Sequence, residues 1–199
     1  MYKMLIIKNN KNRGDIMKKK IIIFLLMFGS LLLVGCGENM TAKEAVRDYL
    51  EMYVTLDDRV TDQLDEFVNK EDLSDEQKEK YKEVLRKEYT SLSYSLENER
   101  VEGDVAYITA KVNVIDLYKV QKDALNYFEE HKDEFNNEDG EYDKNKFLDY
   151  KLDQMKMATD TIDYEIEFKV VNEGNNEWVV SQLSNESLEK LHGIYNYEE

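Results

Sequence analysis

The sequence predicts an α+β domain, and three observations carry that prediction. Apolar residues recur with helical spacing through residues 41–89, the period drops to two at Thr90, and strand-like alternation returns near residue 161 after a second helical stretch. Runs of like elements, without strict helix–strand alternation, point to an antiparallel sheet covered by helices. About four strands are expected, in two hairpins separated by a helical pair.

Each element has its own signal. Thr41-Ala42-Lys43-Glu44 has the spacing of a capping box, in which the first and fourth side chains satisfy each other's backbone amides. Ala42, Ala45, Val46, Tyr49, Leu50 and Tyr53 then line one face of a first helix. Leu56, Val60, Leu64, Phe67 and Val68 mark a second. Ser74, with Gln77 three residues on, opens a third whose face is Tyr81, Val84, Leu85 and Tyr89. From Thr90, Leu92, Tyr94 and Leu96 alternate with serines and Glu97, the pattern of a half-buried strand. A turn over 98–104 containing Gly103 leads to a partner strand with Ala106, Ile108, Ala110, Val112 and Val114 on one face, which makes a hairpin. Helices are expected at roughly 117–134 and 143–160, joined by the polar run Asn136-Asn137-Glu138-Asp139-Gly140. Ile162, Tyr164, Ile166, Phe168 and Val170 then alternate with polar residues, a turn over 172–176 follows, and Trp178 and Val180 form the last strand. Asn185 is expected to cap a short final helix carrying Leu188, Leu191 and Ile194.

Composition narrows the function. Of 199 residues, 43 are acidic and 27 basic. The 164 residues from Cys36 onward carry 42 acidic and 20 basic side chains, a net −22 that repels phosphate backbones and argues against nucleic-acid partners. That length suits one domain. The single cysteine excludes a disulfide framework and a cysteine-rich metal site. Lys outnumbers Arg by 22 to 5, as in AT-rich genomes.

The N-terminus is the most informative stretch. After Met17 come Lys18-Lys19-Lys20, a fourteen-residue apolar run from Ile21 to Val34, and then Gly35-Cys36-Gly37. This is the order of a secretory signal, and the run is shorter than the roughly 20 residues that a spanning helix needs. Leu33-Val34-Gly35-Cys36 resembles a bacterial lipobox. The resemblance implies cleavage between Gly35 and Cys36 and a diacylglycerol thioether on Cys36. Two acyl chains, at about 0.8 kcal/mol per buried methylene, hold a protein durably on a membrane. Residues 1–16 are an unusual preface to a signal peptide, and the codons for Arg13-Gly14-Asp15 can spell a ribosome-binding sequence, so translation is expected to begin at Met17. The expected organisation is an upstream stretch at 1–16, a signal peptide at 17–35, a lipidated tether at 36–40 and one α+β domain over 41–199.

The lipobox, the Ala45-Val46, Tyr49-Leu50 and Tyr53 pattern of the first helix, and two late hairpins ending in Trp178-Val179-Val180 together resemble the NTF2-like (cystatin-like) lipoproteins of Gram-positive bacteria. The resemblance implies a curled sheet and helices enclosing a cone-shaped pocket, and that fold serves binding, assembly and catalysis alike. No catalytic constellation stands out. His131 and His192 read as solvated surface residues, and no acid–base pair can be nominated. The loop 136–146 fails as a calcium loop, because the ligand positions would fall on Phe135 and Lys146. Tyr49, Tyr53, Tyr81, Tyr89, Tyr94 and Tyr164 lie on inner faces and read as core, or as the lining of a pocket with Trp178 at its wall. The expectation is a lipid-anchored protein on the extracytoplasmic face of the cell membrane, without cofactor. It would act as a non-catalytic binding or interaction module for an envelope protein, or alternatively hold a small amphipathic ligand in its pocket. An enzyme using that pocket is the third reading.

Overall fold

A computed structural model describes residues 40–175 and 177–198. The upstream stretch, the signal segment and the lipobox, Cys36 included, lie outside the described residues. Three helices come first. Helix α1 (Ala42–Val54) begins at the expected capping box: Glu44 N donates to Thr41 Oγ1 at 3.2 Å, and Thr41 N to Glu44 Oε2 at 2.8 Å. Leu56 turns the chain with φ of 52°, so Leu56 precedes α2 (Asp58–Lys70) instead of belonging to it. The box of Ser74 and Gln77 starts α3 (Asp75–Ser91). Helix α3 runs past the residue where the sequence period changes. Thr90 and Ser91 donate their hydroxyls to the carbonyls of Arg86 and Glu88, both at 2.9 Å, and so stay within the last turn.

The four strands are β1 (Ser93–Glu102), β2 (Val105–Ile115), β3 (Thr161–Asn172) and β4 (Trp178–Val180). They form one antiparallel sheet in the order β1-β2-β3-β4. The two expected hairpins are therefore joined, because β2 pairs with β3 along its whole length. The register sets Ala106 opposite Val170, Ile108 opposite Phe168 and Ala110 opposite Ile166, which puts the alternating apolar residues from Ala106 to Val114 and from Ile162 to Val170 on one face. The other face carries Thr109, Lys111, Glu165 and Glu167 and is wet. Helix α1 lies across the apolar face and touches all four strands. Leu50, Tyr53, Leu64, Ile108 and Phe168 are fully buried in the resulting core. Leu50→Ala is expected to cost about 2–5 kcal/mol, from lost burial and the void left behind. The check is urea unfolding, with the midpoint falling at unchanged slope.

Between β2 and β3 the chain makes α4 (Leu117–Glu130), a 3-10 turn (Lys132–Phe135) and α5 (Lys144–Met157). Both helices are shorter than the sequence pattern suggests. The turn breaks α4 after Glu130, and Asp143 caps α5 through Asn145 N at 2.8 Å. Helix α5 packs on α3 rather than on the sheet. A second, smaller core of Val84, Ile115, Leu117, Met155 and Ala158 results. Helix α3 is thus buried on two sides. Helix α6 (Asn185–Leu191) closes the chain, capped by Ser184 and not by Asn185: Ser187 N donates to Ser184 Oγ at 3.1 Å. Just beyond it, Tyr118 N donates to Gly193 O at 2.8 Å, which ties the C-terminal segment to the start of α4.

Candidate functional site

Where α3 meets the α4–α5 pair, the packing leaves a cavity of about 200 Å³. Helix spacing decides what lines it. On α3, Tyr81, Leu85 and Glu88 stand at i, i+4 and i+7 and share one face. Leu117 and Gln121 do the same on α4, and Leu148, Lys151, Leu152 and Met155 on α5. The turn after α6 adds His192 and Ile194. The mouth is polar: Lys144 Nζ lies 3.5 Å from Asp72 Oδ2, both side chains well exposed, with Glu71 and Tyr142 alongside. A mostly apolar chamber with a few converging polar groups is the usual form of a small-molecule site.

The polar groups are held in unusual states. Glu88 is 1% exposed, and neither carboxyl oxygen has a hydrogen-bond partner. Burial alone pushes its pKa well above the ordinary carboxylate value, which favours the protonated form. His192 is 2% exposed, its ring 6.0 Å from that of Tyr53 and 5.5 Å from that of Tyr89. Burial brings its pKa down to about 4, which keeps the imidazole neutral. Lys151 donates to Gln121 Oε1 at 3.4 Å, and desolvation lowers its pKa. Burial likewise raises that of the Tyr81 phenol. An orphaned carboxyl is costly in a protein that must only fold. Glu88→Leu is expected to stabilise the chain by about 1–3 kcal/mol, seen as a higher thermal midpoint at neutral pH, and an unchanged or lower midpoint contradicts the assignment of Glu88 as unsatisfied.

Several sequence expectations change here. His192 is a core residue, not a solvated one, because α6 carries it between Tyr53 and Tyr89. His131 is half-buried: it ends α4, stacks on Tyr127 with ring centres 4.0 Å apart and sets Nδ1 3.0 Å from Tyr127 O. Tyr49, Tyr53, Tyr89 and Tyr164 are buried in the main core, with Tyr49 and Tyr53 hydroxyls 3.3 Å apart. Tyr94 is half-exposed and donates to Glu51 Oε1 at 2.6 Å. Of the six tyrosines, Tyr81 alone lines the cavity. Trp178 is half-buried against the main core and is not part of the cavity wall. The loop after Phe135 is closed by its own bonds, Asn137 Oδ1 accepting from Asp139 N and Glu141 N at 3.0 and 2.9 Å. Among the described residues, no group of three His, Cys, Asp or Glu side chains is placed to hold a metal. Glu88, Gln121 and Lys151 went unnoticed in the sequence, although Glu88 stands seven residues from Tyr81 and three from Leu85, on the face that α3 buries.

A second, more open groove of about 420 Å³ lies along α4 and the end of α5, between Tyr127, Tyr150 and the Lys119–Asp160 ion pair at 2.7 Å. No family model, curated protein or solved structure matches the chain. Among the described residues no helix is long and apolar enough to cross a membrane.

Proposed function

We propose that this chain is a lipid-anchored binding module on the extracytoplasmic face of the cell membrane, holding a small amphipathic ligand between α3, α4 and α5. The observation that supports it best is the cavity: an apolar chamber with an orphaned carboxyl on its wall and a charged mouth. The lipobox ending in Cys36 supports the anchor. Only Gly37 to Met40 separate Cys36 from Thr41, so the domain rides close to the bilayer, within about 3.5 Å per residue of tether.

Binding is favoured over catalysis by the state of the groups. Glu88 and His192 are the carboxyl and the imidazole on the inner wall that acid–base chemistry in this cavity would draw on. A general base works best with a pKa near the working pH, and an imidazole at about 4 is far below it. The ligand is accordingly expected to leave unchanged.

Two experiments on the full chain separate the parts. Cys36→Ser is expected to release the protein from the membrane fraction, and a variant that stays bound contradicts the anchor. Titration with 2-phenylethanol, a neutral ring-sized amphiphile, is expected to show saturable binding that Leu148→Trp abolishes by filling the chamber. A titration without saturation, or one indifferent to Leu148→Trp, contradicts the cavity reading.

A further inference from the structure

We infer that the ligand of this cavity is a compact organic cation: an ammonium joined to an apolar body about one ring in size, seated with its ammonium on Glu88. This deepens the proposed function and rests on the cavity being a ligand site. Size comes first. An apolar cavity of about 150 Å³ takes up benzene, and the chamber here is about 200 Å³. It therefore suits one ring with a short polar arm. Leu85, Leu117, Leu152 and Met155 supply the apolar contact, and the aromatic residues Tyr81 and Phe147 also line the chamber.

Charge comes next. Glu88 is fully buried, lines the chamber and receives no hydrogen bond on either oxygen, so the donor it lacks must come from what enters. The terminal torsion of a Glu side chain is broad, so the carboxyl is free to turn towards an incoming donor. The mouth carries Glu71 and Asp72 against the one cation Lys144, and the chain around it is strongly acidic, a field that gathers cations and repels anions. Lys151 is the contrary observation, since its ammonium also lines the cavity. It already donates to Gln121 and is only half-buried, whereas Glu88 has neither partner nor solvent. The carboxyl is the unpartnered group, and an ammonium satisfies it once its proton has left.

The charge balance gives a signature. In the empty chain burial favours the protonated form of Glu88; on pairing with an ammonium that form ionises and its proton goes to solvent, while the ammonium keeps its own. Binding thus releases one proton, and affinity rises about tenfold for each pH unit as long as Glu88 is protonated in the empty state.

The test is calorimetric titration of the full chain in detergent with 2-phenylethylamine, 2-phenylethanol and 3-phenylpropionate, between about pH 6 and about pH 8, in buffers of different ionisation heat. The expected result is tightest binding of the amine, about one proton released, and at least about tenfold weaker binding of the alcohol and the acid. Glu88→Gln keeps the volume and the neutral state, and is expected to cut amine affinity about tenfold or more and abolish proton release. Its binding of the alcohol, unchanged, reports that the variant is folded. Should the variant fail that control, proton release by the parent chain decides alone. Tighter binding of the alcohol or the acid overturns the cation while leaving the cavity reading in place. Amine binding without proton release, or indifferent to Glu88→Gln, also overturns it. No binding of any of the three overturns both readings.

Discussion

Gly193→Ala is expected to destabilise the chain by roughly 4 kcal/mol or more, at the far end of what one methyl group does. Gly193 sits at the end of α6 with φ of 63°, in the left-handed region where a side chain is strained. Its N–H donates to Lys190 O at 3.1 Å and Ile194 N donates to Glu189 O at 2.9 Å, the paired bonds of a Schellman motif that ends a helix. Strain of that kind alone costs about 1 kcal/mol. The larger cost is steric. A Cβ at this position lies 1.9 Å from the backbone oxygen of Ile115, and neither β2 nor the α6 turn can retreat without breaking the Tyr118-to-Gly193 bond or the main-core packing. Urea unfolding of parent and variant gives the difference directly. A loss below about 1 kcal/mol means that the C-terminal segment does not pack against Ile115 as described.

The second large effect is acid sensitivity at His192. The unfolded imidazole titrates near its ordinary value of 6.5 and burial brings the folded one down to about 4, so the folded pKa is depressed. For a base that is buried neutral, stability is whole above 6.5 and drains as pH falls towards 4, because the unfolded chain takes up a proton that the folded one refuses. The gap is worth about 3 kcal/mol at pH 4. Nearby groups bear on the same window: Glu88, which lines the same cavity, opposes the trend, since its raised pKa makes folding easier as pH falls, and the phenols of Tyr53 and Tyr89, packed on the ring, stay protonated throughout. Other carboxylates act too, among them Asp57, held down to about 2 by Arg59. The clean observable is therefore the stability of the parent minus that of His192→Gln, measured at neutral pH and again near pH 4. That difference is expected to shrink by about 3 kcal/mol on acidification, and a constant difference contradicts a buried neutral His192.

How much of this was legible in the chain can be seen residue by residue. Thr41 with Glu44 and Ser74 with Gln77 announce α1 and α3, because capping is a local bargain between residues three apart. The alternation of β2 and β3 is equally local, and it fixes which residues face the core. The site was not legible in the same way. Lys87-Glu88, next to the inner-face Tyr89, reads as ordinary helix surface, and Glu88 lies against α5, some sixty residues later in the chain. His192 is placed by the α6 turn between rings on α1 and α3, three segments that no short window spans. The cavity is an unfilled volume between helices, and a gap leaves no periodicity. Spacing did hold one clue: Tyr81, Leu85 and Glu88 share a stripe, and a carboxyl on an apolar stripe is the local trace of a buried polar group.

Native mass spectrometry of the protein extracted from its own membranes tests the central claim most directly. A lipid-anchored module with a ligand-filled cavity predicts a chain that starts at diacylated Cys36 and carries an additional small-molecule mass, which Leu148→Trp loses while its lipid remains. An unmodified Cys36, or spectra of parent and Leu148→Trp that differ only by the substitution, would contradict it.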